Sequence, residues 1–392
     1  MITRFEKTDI LGRNIVFINQ ATGYLTIDVI NVFAGEFGKV ELVTGSIRVQ
    51  DTELDPKVKI SWIYKYNRGN NFKKAFSWII ATLQIFWLLK TRYRKFEVIF
   101  YTVPPTAYLL SSYITSSYSI IIFDLYPEAL KIKGFTENGL FFRWWAKKNN
   151  RIFSKAHKII TLSDSIKKQV LNYSPDADVR VISNWSAFSS YKPVKKESNP
   201  IITREGLKGK FIIQYSGNIG VTHNVETLID LADSLRNHTD IVFQIIGRGE
   251  RYNLIKDLIK IKGLNNCHLL QFRPDDELYF SLCAADIAVI ILDDKTNDIS
   301  IPSKTYNIMA AGIPIMAIAP RTSGLTEIIS LHEAGKSFEK NQLSEMSDYI
   351  INLKNDKLLY QSLSDNSLLT ASNYTKENAL KYFKNYVGFE SA

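Results

Sequence analysis

Short apolar runs alternate with helix-length segments along most of the chain, and this alternation sets the expected fold class. In the first half, seven short apolar runs have the length of strands, and helical segments fit between most of them. A β/α alternation of this kind predicts a parallel sheet that is covered by helices on both faces. The predicted strands are Asn14–Asn19, Val40–Thr44, Val58–Tyr64, Val98–Thr102, Ser119–Phe123, Ile159–Leu162 and Val179–Ser183.

The alternation breaks between residues 186 and 209, where Ser, Pro and Lys dominate and no hydrophobic period is visible. Such a stretch is typical of an interdomain linker, which we place at residues 191–210. A second alternating series follows the break, and further helices fit residues 341–356 and 376–387. The strands predicted in this series are Phe211–Tyr215, Ile241–Ile246, His268–Phe272, Ile287–Leu292 and Ile313–Ile318.

The two series predict an α/β protein with two doubly wound, Rossmann-like domains, at residues 1–190 and 211–374. The length of 392 residues agrees with two domains, because a single core seldom grows beyond roughly 250–300 residues. Ligands usually bind at the loops that follow the carboxyl ends of parallel strands. We therefore expect both sets of loops to face a cleft between the domains.

The cysteines and the longest apolar stretch limit the class of protein. Cys267 and Cys283 are the two cysteines, each inside an apolar segment, which gives no disulfide framework or metal cluster and fits a reducing cytoplasm. The N-terminal residues lack the apolar run of a signal peptide. The longest apolar stretch, Ala75–Leu89, contains polar residues and is shorter than the ~20 residues that span a bilayer, so we expect a buried or interfacial helix.

Positive charge is concentrated in the first half of the chain. The formal net charge is +10, but residues 1–200 contain 29 Lys or Arg against 16 Asp or Glu, whereas residues 201–392 contain 20 against 23. This imbalance favours an anionic partner for the first half, such as a membrane surface, a lipid phosphate or a nucleic acid. A basic surface that is simply solvated is the alternative.

A glycine-containing loop follows the first strand of the second series and is a candidate phosphate site. It carries Gly217 and Gly220, and a helix is expected to begin near Asn224. Glycines let the backbone approach a bound group closely, and the start of a helix offers free N–H donors, so a diphosphate is the natural ligand. A tight turn with Thr222 as N-cap explains the same residues equally well.

Two further loops follow strands of the same series and should open at the same edge of the sheet. In Gly247-Arg248-Gly249-Glu250, the guanidinium of Arg248 could pair with a phosphate or, alternatively, with Glu250. In Phe272-Arg273-Pro274, backbone groups could contact the edge of a nucleobase. An ordinary turn, with Asp275 capping the next helix, is the alternative there.

The most informative motif is Pro302-Ser303-Lys304, which opens a helix that ends near Gly312. A lysine in the first helical turn opposes the helix dipole, so Lys304 requires an anionic neighbour. An anion that is held by the helix start and by Lys304 together is the direct interpretation. A lysine that extends into solvent is the alternative.

Two features of the first series are candidates for a second functional site. Asp124 ends an otherwise unbroken apolar strand, so its carboxylate should face the cleft, where it could orient a ligand or accept a proton. Capping of the following turn is the alternative role. The loop after the first strand could approach a phosphate through Gly23.

Taken together, the motifs of the chain resemble glycosyltransferase family 4, in the branch that builds O-antigen and capsule chains. The similarity is strongest from Tyr215 to Ile318, the donor-binding domain of that family. The motifs that carry the resemblance are Ser216-Gly217-Asn218-Ile219-Gly220, Ile246-Gly247-Arg248-Gly249, Ala284-Ala285-Asp286-Ile287, Pro302-Ser303-Lys304-Thr305-Tyr306, Ala310-Ala311-Gly312-Ile313-Pro314, Phe123-Asp124-Leu125-Tyr126-Pro127-Glu128 and Val181-Ile182-Ser183-Asn184-Trp185.

The resemblance implies the GT-B fold and a retaining transfer from a nucleotide-sugar, by default a UDP-sugar, without a catalytic metal. It also implies that a helix within residues 375–392 crosses back to the N-terminal domain. The glutamate by which the family holds the ribose falls at Asn307, and its paired glutamate has no counterpart in residues 297–300. An asparagine can still donate and accept hydrogen bonds, but the ribose contact and the donor stay open.

These arguments give a set of expected site residues. The adjacent pair Asp293-Asp294 is more typical of a solvated loop than of a metal site, so no metal ligand is predicted. The predicted residues are Gly217, Asn218, Gly220, His223, Gly247, Arg248, Phe272, Arg273, Pro302, Ser303, Lys304, Tyr306 and Asn307 for the donor, Gly23, Tyr24 and Glu128 for the acceptor, and Asp124 for catalysis.

Aromatic and basic residues are interleaved in two helical segments, residues 73–95 and 141–148. Such helices suit the interface of a membrane with anionic lipids, where Trp144 and Trp145 would lie among the headgroups; core aromatics beside solvated cations are the alternative. The expected acceptor is a polyprenyl-diphosphate-linked or other glycan. We therefore expect a cytoplasmic enzyme that is peripheral on the inner face of the cell membrane.

Two other functions compete with the transferase. A sugar-nucleotide epimerase shares the two-domain architecture, but it needs several carboxylates and a histidine around the sugar, and few candidates occur. A nucleic-acid-binding protein would explain the basic half, but no helix-turn-helix, zinc-finger or RNA-binding signature supports it.

Overall fold

The computed structural model describes residues 12–388 apart from residues 68, 70, 221–222 and 293–300. The chain forms two compact units. Unit one contains the residues up to Ala187 and those from Lys376 onward, and unit two is Phe188–Thr375.

Unit one is built on a seven-stranded parallel sheet in the order β3-β2-β1-β4-β5-β6-β7. Its central strands are mostly apolar and buried, because helices cover a parallel sheet on both faces. The strand order reverses between β1 and β4, a point at which α/β sheets commonly bind ligands. The strands are β1 (Asn14–Ile18), β2 (Lys39–Thr44), β3 (Lys59–Trp62), β4 (Glu97–Tyr101), β5 (Tyr118–Ile122), β6 (Ile159–Thr161) and β7 (Val179–Val181).

The last helix of the chain packs on the first helix of unit one. The ring of Phe33 lies 5.2 Å from that of Phe383 and 5.5 Å from that of Tyr386, both edge-on. The Tyr386 hydroxyl donates to Glu97, which also accepts two hydrogen bonds from Arg13. The helices of unit one are α1 (Tyr24–Ala34), α2 (Asn71–Thr91), α3 (Leu140–Phe153), α4 (Asp164–Tyr173) and α13 (Asn378–Val387), with 3-10 turns at Ala107–Tyr113 and Glu128–Lys133.

Unit two is built on a six-stranded parallel sheet in the order β10-β9-β8-β11-β12-β13, with its reversal between β8 and β11. Strands β8 and β9 continue beyond their expected ends at Tyr215 and Ile246. The strands are β8 (Phe211–Asn218), β9 (Ile241–Arg248), β10 (Cys267–Leu270), β11 (Ile287–Ile291), β12 (Ile315–Ile318) and β13 (Gly335–Phe338).

The segment expected to be a linker packs on unit two. Ile201 and Ile202 are buried against Ile212 and Val242, and the Asn199 side chain caps the short helix that contains them. An apolar pair inside a polar stretch is enough to anchor this segment. The helices of unit two are α5 (Pro200–Arg204), α6 (Glu226–Ser234), α7 (Tyr252–Lys262), α8 (Leu278–Cys283), α9 (Lys304–Ala310), α10 (Gly324–Leu331), α11 (Leu343–Asn355) and α12 (Lys357–Ala371), with 3-10 turns at Lys196–Ser198 and Asp275–Glu277.

Candidate functional site

The two glycine motifs of unit two meet at the carboxyl ends of adjacent strands. Strands β8 and β9 stay in register as far as Asn218 and Arg248. Beyond them, the Ile219 amide donates to the Arg248 carbonyl at 2.9 Å, and the Arg251 amide donates to the Ile219 carbonyl at 3.0 Å. Both loops therefore start at one edge of the sheet, and the side chains of Asn218 and Arg248 are exposed there.

Gly247 is required by the close approach of these two strands. A Cβ atom at Gly247 would lie 2.0 Å from the carbonyl oxygen of Gly217, far inside van der Waals contact. Gly217 also leaves room for a side chain from another element, because a Cβ there would lie 3.1 Å from the Lys304 ammonium nitrogen. Gly247 thus allows the β8 loop to pack tightly on β9, and Gly217 leaves space for the Lys304 side chain.

Lys304 is the first residue of α9, and its ammonium group reaches the β8 loop. Its Nζ lies 4.5 Å from the centre of the Tyr215 ring and donates to the Ser216 carbonyl at 3.4 Å. Among the described residues it makes no ion pair, and burial lowers the pKa of Lys304 to about 8. The ammonium can donate three hydrogen bonds, so donors remain available for an anion.

A small cavity lies beside Lys304, and polar groups line one part of it. Asn307 lies one turn further along α9, while Gln214 and Ser216 project from β8. Gln214 is a buried polar residue in an apolar strand, and its amide donates to the Ser281 carbonyl at 2.9 Å. The lining residues are Gln214, Ser216, Leu278, Leu282, Ala288, Val289, Lys304, Asn307 and Ile308.

Arg248 and Phe272 lie together at the same edge of the unit two sheet. The guanidinium of Arg248 stacks over the Phe272 ring at 5.4 Å, and the ring itself is 43% exposed. Within the described part of the chain, Arg248 makes no ion pair with Glu250. The neighbouring Arg251 instead pairs with Glu226 at 2.5 Å. The Arg248 guanidinium, which lies against the Phe272 ring, is thus exposed to solvent beside the β8 loop.

Two predicted donor residues are engaged elsewhere in unit two. Arg273 forms an ion pair with Glu205 at 2.5 Å. Tyr306 is 2% exposed, with its ring 4.7 Å from that of Tyr374. Both side chains therefore pack within the unit, and a donor contact by either stays a prediction.

The remaining predicted donor residues surround the loop and the start of α9. Gly220 is buried just after β8, and half-buried His223 follows two residues that lie outside the described part. Pro302 and Ser303 are half-buried, and Ser303 occupies the N-cap position without a side-chain cap. The predicted N-cap Thr222 lies outside the described residues, and α6 begins at Glu226.

In unit one, Asp124 lies just after β5 and is exposed. The Thr102 hydroxyl, at the end of β4, accepts a hydrogen bond from the Phe123 amide at 3.2 Å. Two residues on, the Tyr126 carbonyl accepts from the Asn149 amide at 2.6 Å and from the Tyr108 hydroxyl at 3.1 Å. The backbone on both sides of Asp124 is therefore anchored, which fixes where its carboxylate can reach.

Lys74, in the first turn of α2, is the cation that acts electrostatically on Asp124. Its Nζ lies 5.1 Å from the Trp78 ring and 5.8 Å from the Tyr66 ring, and Trp78 in turn lies 6.2 Å from Tyr126. Among the described residues Lys74 makes no ion pair. Its electrostatic influence on the aspartate could not be found from the sequence, because some fifty residues separate the two.

The predicted acceptor residues of unit one differ in how they are engaged. Gly23 is the N-cap of α1 and faces open space. The Tyr24 hydroxyl donates to the Trp185 carbonyl at 2.8 Å, which gives this residue a packing role. Glu128 accepts from the Tyr173 hydroxyl, and burial raises the pKa of Glu128 although that hydrogen bond opposes the rise.

The expectation that Trp145 lies among lipid headgroups is wrong. Trp145 is 3% exposed, and its indole N–H donates to the Tyr108 hydroxyl at 2.7 Å. Its neighbour Trp144 is 50% exposed. Adjacent helical residues point about 100° apart, so one indole fills the core while the other reaches solvent.

Within the described ranges, no group of three or more His, Cys, Asp or Glu lies together in a way that could hold a metal ion. Asp293 and Asp294 lie outside those ranges. Cys267 and Cys283 are buried free thiols.

Residues 198–369 match the family model described as "Glycosyl transferases group 1". The chain is 26% identical over 345 residues to the probable glycosyltransferase WbjE of Pseudomonas aeruginosa, covering 83% of this chain and 82% of WbjE. It is 28% identical over 158 residues to the putative colanic acid biosynthesis glycosyl transferase WcaI of Escherichia coli K12, covering 39% of this chain and 38% of WcaI.

Solved glycosyltransferase structures share the fold over nearly the whole chain. Anabaena HepE in complex with UDP-glucose aligns with a TM-score of 0.71 at 14% identity, covering 96% of this chain and 99% of HepE. WaaG, a glycosyltransferase involved in lipopolysaccharide biosynthesis, aligns with a TM-score of 0.67 at 12% identity, covering 95% of this chain and all of WaaG.

The sheet topology, the family match and these alignments define the class of protein. The chain is a glycosyltransferase with the GT-B fold. The match to the group 1 glycosyl transferase model lies within unit two.

Proposed function

We propose that the enzyme is a metal-independent, retaining hexosyltransferase that moves a sugar from a UDP-sugar to a lipid-linked glycan in O-antigen, capsule or exopolysaccharide synthesis. The observation that carries the donor half of this proposal is the Lys304 ammonium. Its side chain is half-buried beside the glycine loop and has no ion-pair partner among the described residues. A nucleotide diphosphate would supply the anion that pairs with the Lys304 ammonium.

The donor diphosphate would lie between the β8 loop and the start of α9. Lys304 would bind it directly, and the exposed Arg248 would pair with it from the β9 loop. The anomeric carbon–oxygen bond to the diphosphate breaks during transfer, so negative charge grows on the leaving group. A preorganised ammonium at that point stabilises the transition state more than the bound donor.

Asn307 would take the place of the glutamate carboxylate that binds the ribose in the resembled family. It shares the lining of the cavity with Lys304 and lies one helical turn away. Its amide can donate and accept hydrogen bonds, whereas a glutamate only accepts. UDP is the nucleotide that we propose, and the complexes of HepE with UDP and UDP-glucose support this choice.

The acceptor would bind at the carboxyl ends of the unit one strands. Asp124 would orient the attacking hydroxyl and can accept its proton, while Lys74 supplies a cation for the phosphate of a lipid-linked acceptor. The names of two related proteins support a role in polysaccharide synthesis, since WcaI is named for colanic acid biosynthesis and WaaG for lipopolysaccharide biosynthesis. Such acceptors place the enzyme at the inner face of the cell membrane.

The donor is tested by calorimetric titration of the purified protein with UDP, GDP, ADP, dTDP and CMP, followed by the sugar conjugates of the nucleotide that binds. We expect UDP to bind and the other nucleotides to bind at least about tenfold more weakly, a difference of about 1.4 kcal/mol. Preference for another base would overturn the UDP assignment and leave the transferase intact.

The reaction is followed by proton NMR with a glycan acceptor. Retention is shown by the same anomeric configuration in donor and product, and inversion contradicts it. An isomerised nucleotide-sugar without transfer would favour the epimerase class instead.

A further inference from the structure

Helix α2 of unit one presents a continuous apolar face to solvent. Leu83 is 61% exposed and Trp87 is 64% exposed, although both are large hydrophobic residues. Their spacing follows the helical repeat, so the side chains form one stripe along the helix. The stripe consists of Phe72, Phe76, Ile79, Leu83, Phe86 and Trp87.

The opposite face of α2 is fixed in unit one. Ser77, Ala81, Ile85 and Leu89 are buried at every fourth position. The Gln20 amide donates to the Ser77 carbonyl at 3.0 Å. This 21-residue helix is long and apolar enough to cross a membrane, but a spanning orientation would tear these contacts from the unit one core.

Tyr113 extends the stripe beyond the helix itself. Its ring lies edge-on to Phe86 at 6.0 Å, and its carbonyl accepts from the Lys90 ammonium at 2.6 Å. At 1.5 Å per residue α2 is about 30 Å long. An exposed apolar surface of this length marks an interaction site rather than scattered surface residues.

The charge around the stripe decides which partner covers it. Residues 56–96 contain ten Lys or Arg and no Asp or Glu. Lys90, Arg94 and Lys95 are exposed at the C-terminal end of α2. A second copy of the chain would bring two such segments together, and their like charges would repel. An anionic bilayer satisfies both features at once, with acyl chains for the stripe and lipid phosphates for the cations.

We propose that α2 is the docking surface of this enzyme for an anionic bilayer, lying in the plane of the interface with its stripe among the acyl chains. The inference deepens the proposed function, because it rests on a lipid-linked acceptor. The N-terminal turn of α2 carries Lys74, the cation proposed above for the acceptor phosphate. Docking along α2 would therefore bring this cation to the level at which lipid phosphates lie.

The first experiment measures where α2 lies. Leu83→Cys is labelled with an environment-sensitive fluorophore, which is selective because both native cysteines are buried. Leu358→Cys in unit two is the matched control, since Leu358 is 84% exposed on another helix. With vesicles of phosphatidylglycerol and phosphatidylcholine, the label at position 83 should shift to the blue and the label at 358 should not. Equal responses at both positions overturn the proposal.

The second experiment measures the contribution of the stripe to binding. The double variant Leu83→Glu/Trp87→Glu should lower partitioning onto the same vesicles by roughly tenfold or more, because two apolar anchors become anionic. The control Leu331→Glu/Leu358→Glu changes two exposed leucines of unit two and should partition like the wild type. Equal partitioning of all three proteins overturns the proposal.

Donor titration separates this inference from the proposed function. The stripe variant should bind UDP like the wild type and transfer sugar at the normal rate to a short-chain, water-soluble acceptor, with loss confined to vesicle-borne acceptor. Sedimentation of the wild type as a dimer that the stripe variant dissociates would assign the surface to a second copy instead. If vesicles bind while UDP does not, docking stands and the donor assignment fails.

Discussion

At the scale of single residues, the proposed donor site depends most on Lys304. Lys304→Ala should weaken nucleotide-sugar binding by about 1.5–3 kcal/mol, the usual contribution of a hydrogen bond to a charged group. Lys357→Ala is a matched control, because Lys357 is also the first residue of a helix but is exposed. Calorimetry should show unchanged binding for this control. Unchanged affinity in Lys304→Ala would remove Lys304 from the site.

The lowered pKa of Lys304 makes donor binding depend on pH. Burial lowers this pKa to about 8, so the ammonium is charged below that pH and loses its proton above it. In the proposed site the charged form binds the diphosphate, so affinity for UDP should fall as pH rises through 8 to about 9, before the uracil ring itself loses a proton. Uridine lacks the diphosphate and should show no such decline. Parallel pH profiles for UDP and uridine would contradict the assignment.

Asp124 belongs to unit one, so its role can be separated from donor binding. Asp124→Asn keeps the size of the side chain and removes the charge, and it should lower turnover by roughly 100-fold or more if the carboxylate accepts a proton. Donor affinity should stay nearly unchanged. Glu137→Gln, at an exposed carboxylate of the same unit, is the control. Collapse of donor affinity in a folded Asp124→Asn protein would show that the role is wrong.

Helical geometry explains why the predicted donor residues of helix α9 point in different directions. Residues in α9 are turned by 100° from one to the next. Asn307 therefore lies within about 60° of Lys304, whereas Tyr306 points to the far side and packs against Tyr374. The motif alone assigned both the tyrosine and the asparagine to the donor, and their different directions follow from the helical repeat. The ion pair of Arg273 with Glu205 is long-range and leaves no trace in local sequence.

At the scale of elements, the pairing of β8 with β9 holds the glycine loop in place. Gly247→Ala should lower the stability of unit two by on the order of 3 kcal/mol, because the new methyl group would overlap the Gly217 carbonyl oxygen. Gly35→Ala is the control, since no atom lies near a Cβ there. Thermal unfolding followed by circular dichroism should show the difference. Equal melting temperatures would mean that the two strands separate without cost.

The strands were predictable because apolar runs bounded by polar residues are a local signal. The seven strands of unit one lie within two residues of their predicted ends. The extra length of β8 and β9 was not predictable, since Gly217 and Gly247 look like loop residues until their strands are seen to pair. Strand β13 is short and only partly apolar, and it was missed.

At the scale of the whole molecule, both units repeat one topology. Each sheet runs outward from a central strand in one direction and then reverses, as in β3-β2-β1-β4 and β10-β9-β8-β11. The candidate donor residues lie at or after the ends of β8, β9 and β10 and around the start of α9, while Asp124 follows β5 in unit one. The alternation of the sequence predicted this architecture, but it could not predict the electrostatic influence of Lys74 on Asp124.

The uneven charge of the chain predicts how salt affects activity. The first 200 residues carry 29 cationic against 16 anionic side chains, and the remainder carries 20 against 23. Raising ionic strength from about 0.05 to about 0.5 M shortens the Debye length from roughly 14 to roughly 4 Å and screens the attraction to an anionic bilayer. The rate of transfer to acceptor in anionic vesicles should therefore fall several-fold. Transfer to the same glycan on a short, water-soluble chain should fall much less, because that substrate is not gathered at a charged surface.

Salt also weakens donor binding, but equally in both assays, so the ratio of the two rates isolates the membrane contribution. A ratio that stays constant with salt would show that the basic half of the chain takes no part in bringing the enzyme to its acceptor.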